Sequence, residues 1–173
     1  MRYSSFLFIG WLALFTVSCQ KDDSRTPYGM SKIYMPQAIV QSGGVNNNYS
    51  VPSGTDSSTY NYEIDSKTSR LNVILGANLS GPAAGAYTVG VQADDDSVRR
   101  LLAAGVFDTS TYKLMPASMY TLPAQLSVPA GARGGTFYLG LDIGMLKADS
   151  LAGKYLLLAV RIANPSLYTL DTA

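Results

Sequence analysis

The chain has 173 residues, with 13 lysines and arginines, 12 aspartates and glutamates, and no histidine. A net charge of +1 provides no strongly basic face, so we do not expect nucleic acid as a partner. The absence of histidine removes the usual general base of serine-based catalysis and the commonest zinc ligand. The length favours one domain, large enough to fold without disulfides. We therefore expect a protein that is not an enzyme and that needs no cofactor.

Residues 1–18 have the pattern of a lipoprotein signal peptide. Arg2 precedes an apolar run, Phe6 to Val17, that is too short to cross a bilayer as a stable helix. Cys19, the only cysteine, stands where a bacterial lipobox ends, although Thr16 occupies a position that usually holds leucine. A lone cysteine cannot form an intrachain disulfide, so we predict that Cys19 carries lipid and anchors the chain to a membrane. The alternative is a plain signal peptide that ends near a cysteine by chance.

Residues 19–31 are predicted to be the lipid anchor and a tether, because Pro27 and Gly29 disfavour regular structure. Lys21, Asp22 and Asp23 closely follow the cysteine. This arrangement resembles the export signal of Bacteroidetes surface lipoproteins, which has a lysine and then two acidic residues. The resemblance implies transfer to the outer face of the outer membrane. An ordinary solvated linker is the alternative.

Residues 32–173 have the pattern of a β-sandwich. Apolar and polar residues alternate in several segments, and each segment therefore has one apolar face that needs a second layer to cover it. We predict an all-β, antiparallel β-sandwich with one short helix. Pro36 predicts that the first strand is an edge strand or is broken. The predicted strands are residues 32–40, 60–65, 71–80, 87–92, 125–128, 137–143 and 155–162.

The predicted helix follows the fourth segment. Residues from Val98 to Leu102 have helical spacing, and Asp96 or Ser97 can cap the free amides at the start. Gly105 stands where a left-handed residue commonly ends a helix.

The aspartate run Asp94–Asp96 is a candidate calcium site, because calcium prefers several hard oxygen ligands. The alternative is a solvated turn whose acidic residues complement the N-terminus of the following helix. No patterned set of further oxygen ligands follows the run. We therefore favour the turn and predict no metal site.

The 12 tyrosines include candidates for glycan contact, because tyrosine has a flat apolar ring and a polar tip. Many of them fall at alternating strand positions, where core or cross-strand packing is the simpler explanation. Tyr112 and Tyr120 are the better candidates for possible glycan contact, since they flank a predicted loop around Pro116. The removal of Trp11, the only tryptophan, with the signal peptide counts against a sugar-binding platform.

Four motifs together indicate a family. They are Leu79–Ala83, Tyr112–Pro116 with Tyr120, Val128–Gly131 and Tyr155–Leu157. They resemble those of an immunoglobulin-like domain of unknown function that stands first in many Bacteroidetes surface lipoproteins of glycan-utilisation loci. The resemblance implies an immunoglobulin-like sandwich. Leu158 departs from the family pattern, which has proline at this position of the closing strand.

Two functions agree with these observations. The first is a surface-exposed outer-membrane lipoprotein that serves as a non-catalytic accessory or glycan-binding module of a polysaccharide-utilisation system. Its partners would be a polysaccharide or an outer-membrane uptake complex. The second is a structural spacer or assembly module that binds no sugar.

The last residues, 163–173, follow the final predicted strand and contain Pro165. Proteins of the resembled family usually continue into another module, so we expect either a lone domain or a shortened chain. Leu167 and Leu170 have no other evident use, and exposed strand edges invite pairing with other chains. We therefore predict that this tail folds back over the sandwich and keeps the domain monomeric.

Overall fold

The computed structural model describes residues 30–38, 40–41, 44–45, 49–51, 61–83, 85–148, 151 and 153–171. The predicted signal peptide, Cys19 and the charged residues at 21–23 lie outside these ranges. Within them, no helix has the length and apolar character needed to cross a membrane.

The described residues form mostly short strands, which confirms the all-β prediction. The first strands are β1 Lys32–Tyr34, β2 Val40–Gln41, β3 Gly44–Val45, β4 Tyr62–Asp65, β5 Arg70–Leu79, β6 Tyr87–Ala93 and β7 Tyr112–Leu114. The others are β8 Tyr120–Thr121, β9 Gln125–Val128, β10 Gly134–Asp142, β11 Tyr155–Leu157, β12 Val160–Ala163 and β13 Thr169–Leu170. Two α-helices accompany them, α1 Asp95–Ala103 and α2 Ile143–Leu146.

The strands form one large sheet and smaller ones. The large sheet has the order β13-β1-β5-β10-β8, with β4 also paired to β5. The others are β12-β6-β9, β11-β7 and β2-β3. Most of the pairs are antiparallel, as predicted, and two, β1 with β13 and β7 with β11, are parallel. Alternation of apolar residues specifies which face is buried but leaves the direction of a neighbouring strand open.

One hydrophobic core joins β5 and β10 to β6 and β9, as the alternating pattern predicts. The paired residues of β5 and β10 extend from Gly134 opposite Asn78 to Asp142 opposite Arg70. The buried members of the core are Ile33, Val73, Leu75, Ala77, Leu79, Tyr87, Val89, Val91, Met115, Met119, Leu126, Val128, Phe137, Leu139 and Leu141.

The first strand is broken, as Pro36 predicted. A 3-10 turn, Pro36–Ala38, follows β1. The side chain of Gln37 then reaches β5, where its Nε2 donates to the carbonyl of Ile74 (3.5 Å) and its Oε1 accepts from the amide of Gly76 (3.3 Å). This amide group takes the place of a strand neighbour in the gap between β1 and β4.

The predicted closing strand, residues 155–162, is wrong as a single strand. Its first part, β11, pairs in parallel with β7, whereas its second part, β12, pairs antiparallel with β6. The break lies at Leu158 and Ala159. Leu158 stands where the resembled family has proline, a residue that interrupts strand pairing. The chain changes neighbours at this point although Leu158 keeps the backbone donor that proline lacks.

The end of α1 agrees with the prediction for Gly105. This residue has φ +72°, and its amide donates to the carbonyl of Leu102 (3.1 Å). The amide of Val106 donates to the carbonyl of Leu101 (3.0 Å). These two bonds form a Schellman motif, which satisfies carbonyls at the helix end.

The tail folds back onto the large sheet, as predicted. Strand β13 pairs in parallel with β1, and the amide of Asp171 donates to the carbonyl of Ile33 (2.8 Å). Lys32 Nζ lies 3.2 Å from Asp171 Oδ1. Leu170 packs against the core, whereas Leu167 is 43% exposed and places its Cδ2 atom beside Gly85.

Candidate functional site

The most exposed aromatic side chain of the described sandwich lies on the parallel pair β7–β11. Tyr112 and Tyr155 are direct partners in register, and their ring centroids lie 5.4 Å apart with an interplanar angle of 32°. The ring of Phe107 lies 5.1 Å from that of Tyr112. Tyr155 is 64% exposed. We call Phe107, Tyr112 and Tyr155 the aromatic surface.

Strand pairing creates this surface from residues distant in sequence. The amide of Tyr155 donates to the carbonyl of Thr111 (2.9 Å), and the amide of Met115 donates to the carbonyl of Leu157 (2.8 Å). Sequence reasoning selected Tyr112 but missed Tyr155 and Phe107 as site residues. The sequence motif at Tyr155 predicted a strand and no binding site. The parallel register of β7 and β11 brings the Tyr155 ring to Tyr112.

Polar groups border the aromatic surface. Before β7, the carbonyl of Asp108 accepts from the amides of Thr111 (3.0 Å) and Tyr112 (2.7 Å), and its Oδ1 accepts from the amide of Ser110 (2.8 Å). The Ser110 hydroxyl donates to Asp108 Oδ2, and the Lys154 ammonium donates to the carbonyl of Ser110. We call Asp108, Ser110, Thr111 and Lys154 the polar rim.

The carboxylate of Asp108 is held in its ionised form. The hydrogen bond from the Ser110 side chain is the largest cause that lowers the pKa of Asp108, and the Ser110 amide adds to it. An ionised carboxylate accepts hydrogen bonds from hydroxyl groups. The site thus combines an apolar ring face with acceptors and an ammonium donor at its edge, which suits a flat ligand with one apolar face and peripheral hydroxyls.

Tyr120 lies in a different environment. It belongs to β8, opposite Leu141 of β10, and it is half-buried against the core. Burial raises its pKa above the usual range, and the charge of Asp95 adds to this effect. The described structure brings the ring of Tyr112 against Phe107 and Tyr155 rather than against Tyr120. Glycan contact by Tyr112 and Tyr120 stays a prediction, and Tyr112 is the better placed of the two.

The aspartate run at 94–96 begins α1. Asp94, rather than the predicted Asp96 or Ser97, is the N-cap. Its Oδ1 accepts from the Ser97 amide (3.2 Å), and its Oδ2 accepts from the Ser97 hydroxyl (2.8 Å). The bond from this hydroxyl is the main cause that lowers the pKa of Asp94. In the part of the chain that the structure describes, no three acidic or thiol side chains converge as metal ligands.

The fold and the site together define a class, an all-β sandwich module with an exposed aromatic surface. Residues 31–169 match a family described as an N-terminal domain. The match spans most of the chain, so the chain belongs to this family. The description agrees with the sequence resemblance in one respect, since the resembled domain also stands first in its proteins.

Three similar solved structures come from Bacteroides ovatus. The first, described as a candidate carbohydrate binding protein, is 18% identical with a TM-score of 0.48, over 65% of this chain and 31% of that one. A multidomain protein that includes a domain of unknown function is 17% identical with a TM-score of 0.48, over 66% and 39%. A third, of unknown function, is 16% identical with a TM-score of 0.49, over 84% and 42%. The present chain thus matches less than half the length of each. Among curated proteins, no match was found.

Proposed function

We propose that this domain is a non-catalytic accessory module that binds polysaccharide through the aromatic surface. In this proposal the domain belongs to a polysaccharide-utilisation system. Lipid on Cys19 attaches it to the outer membrane, and Lys21, Asp22 and Asp23 direct it to the cell surface. The resemblance of the sequence motifs to a domain of glycan-utilisation loci supports this glycan-related context.

One observation carries the binding proposal: the Tyr155 ring, 64% exposed, packs beside the Tyr112 ring instead of entering the core. A supported ring loses little conformational freedom when a ligand stacks on it, because its neighbours already restrict its rotamers. The polar rim then supplies hydrogen-bonding groups beside the ring. A pyranose has an apolar face of C–H groups and hydroxyl groups around its edge. The Tyr155 ring suits the first, and the polar rim suits the second.

Replacement of Tyr155 by alanine is expected to weaken polysaccharide binding about ten-fold or more, a loss of roughly 1.4 kcal/mol. The removed ring supplies most of the exposed stacking area. Affinity electrophoresis in gels that contain xyloglucan, galactomannan, laminarin or yeast mannan measures the effect. Tyr155→Phe is the matched control, since it keeps the ring and should retain most of the binding.

The spacer hypothesis predicts the opposite result in these gels. If the unaltered protein is retarded by none of the polysaccharides, or if Tyr155→Ala is retarded as strongly as the unaltered protein, the aromatic surface does not bind these glycans.

One structural feature favours the spacer hypothesis: β1 and β13 lie side by side and run in the same direction. A chain that enters and leaves in one direction can sit in line between a tether and a following segment.

Replacement of Lys21, Asp22 and Asp23 by alanine is expected to keep lipidation and to abolish surface exposure. The reason is that the charged motif is the proposed export signal, whereas the proposed lipid attachment depends on the signal peptide and Cys19, which this variant leaves unchanged. Protease treatment of intact cells, followed by immunoblotting, measures exposure. Alanines at Ser24, Arg25 and Thr26 form the matched control in the same tether. Equal digestion of the two triple variants on whole cells would show that residues 21–23 are an ordinary linker and no export signal.

A further inference from the structure

A second group of polar side chains converges on the outer face of the large sheet. Gly140 of β10 lies between Asn72 of β5 and Thr121 of β8. Gly140 has no side chain and is itself buried, because the Arg70 and Thr121 side chains lie over it. A Cβ atom placed on Gly140 would lie 2.9 Å from Thr121 Oγ1, 3.0 Å from Arg70 Nη1 and 3.5 Å from Asn72 Oδ1. We call Arg70, Asn72, Thr121 and Gly140 the Gly140 notch.

The notch holds unused hydrogen-bonding capacity. Arg70 Nη1 donates to Thr121 Oγ1 (2.7 Å), which is the only hydrogen bond of this guanidinium within the described ranges. The side-chain amide of Asn72 makes none there, although both residues are half-buried. A guanidinium has five N–H donors, and an amide has two donors and an acceptor. Half-buried polar groups of this kind need water or a ligand as partners.

An exposed aromatic ring borders the notch. Tyr138 precedes Gly140 by two residues on β10, so both face the same side of the sheet. Its ring is 46% exposed, and its partner in register is the half-buried Ile74. The face therefore combines an apolar ring with convergent donors and acceptors.

We propose that the Gly140 notch and Tyr138 form a second sugar-binding site, for a neutral pyranose unit of a polysaccharide. The pyranose ring stacks on Tyr138, and the Asn72 amide and the Arg70 guanidinium bind adjacent hydroxyl groups of the sugar. The charges around the Gly140 notch favour a neutral sugar over an anionic one. Glu63 lies opposite Asn72, and Asp65 and Asp142 both lie opposite Arg70. These carboxylates outnumber the single guanidinium, so a uronic acid or a sulfated sugar is repelled.

This site goes beyond the proposed function, because it lies on the large sheet and uses none of the residues of the aromatic surface. Two binding faces on one domain would hold a polysaccharide chain by avidity. The two sites are tested in one set of four proteins, namely the unaltered protein, Tyr155→Ala, Gly140→Ala and the double variant.

Gly140→Ala is expected to displace the Arg70 and Thr121 side chains, because its Cβ would lie 3.0 Å or less from each of them. The displacement should weaken binding of neutral polysaccharides about ten-fold, in addition to the loss caused by Tyr155→Ala. Affinity gels with galactomannan and xyloglucan measure this, and homogalacturonan serves as the anionic probe. Gly90→Ala is the matched control, a strand glycine in β6 whose Cβ would lie 3.3 Å from the carbonyl oxygen of Ala163. Asn72→Ala and Tyr138→Ala remove groups of the site without adding an atom. They replace Gly140→Ala in the binding test if Gly140→Ala lowers the melting temperature more than Gly90→Ala does.

The outcomes separate the two proposals. Loss of binding in the notch variants but not in Tyr155→Ala supports the second site and overturns the first. Loss in Tyr155→Ala alone overturns the second site. Retardation by homogalacturonan in preference to the neutral gels overturns the neutral-sugar assignment, and retardation by no gel overturns the second site as well.

Discussion

Deletion of residues 164–173 is expected to lower the melting temperature by roughly 6–12 °C, which corresponds to a loss of about 3 kcal/mol. The tail covers part of the core, because the ring of Tyr168 meets Tyr87 edge-on at 5.5 Å and its hydroxyl accepts from the amide of Gly85 (3.1 Å). An aromatic pair and the hydrogen bonds of a strand each contribute on the order of 1 kcal/mol. Tyr87 is 2% exposed, so deletion of the tail would expose a buried ring to water and lower the free energy of unfolding.

Further contacts of the tail would be lost in the same deletion. The amide of Ser166 donates to the carbonyl of Thr88 (2.9 Å), and the amide of Thr88 donates to the Ser166 hydroxyl (2.9 Å). The deletion also leaves the outer edge of β1 unpaired, which favours association with other chains. Differential scanning calorimetry measures the melting temperature, and light scattering measures association.

Asp171→Ala is the control for the tail deletion, since it removes only the ion pair with Lys32. Both side chains are more than a third exposed, 38% and 39%, so screening by water leaves this pair a small effect. We expect its melting temperature to fall by less than about 2 °C. If the deletion variant melts like the unaltered protein and stays monomeric, the packing of the tail contributes nothing to stability.

Replacement of Cys19 by alanine is expected to abolish lipid attachment completely. The proposed anchor needs the cysteine thiol to carry the lipid, and the sequence contains no second cysteine that can substitute. Growth of cells with a fatty-acid analogue, followed by immunoprecipitation, measures incorporation into the protein. The variant should remain uncleaved or become soluble in the periplasm.

Ser18→Ala is the matched control for this experiment, because it alters the neighbouring position and keeps the thiol. It should incorporate label as the unaltered protein does. Label on Cys19→Ala at the same level as on the control would eliminate the lipid anchor and leave a plain signal peptide. Such a result would not bear on the two sugar-binding proposals, which concern residues of the folded domain.

The tyrosines illustrate why residue type alone does not identify a site. Tyr87 enters the core on an alternating strand position, and Tyr62 is buried on β4. Tyr155 and Tyr138 occupy strands as well, yet their rings are exposed. All four belong to strand segments recognisable from sequence. Alternation within each strand separates the two buried rings from the two exposed ones, whereas the neighbours of an exposed ring depend on the strand that pairs with it.

The sequence by itself determined the sandwich, its main core strands, the break at Pro36 and the end of α1 at Gly105, because alternation, missing backbone donors and left-handed glycine are local properties. Its motifs also indicated an N-terminal domain, and residues 31–169 match a family described as one. The tertiary structure alone decided the parallel pairs, the division of the closing strand into β11 and β12, and the partners of Tyr112. The physical reason is that strand direction and register follow from contacts between segments far apart in the chain, such as Tyr155 opposite Tyr112 and Gly140 between Asn72 and Thr121.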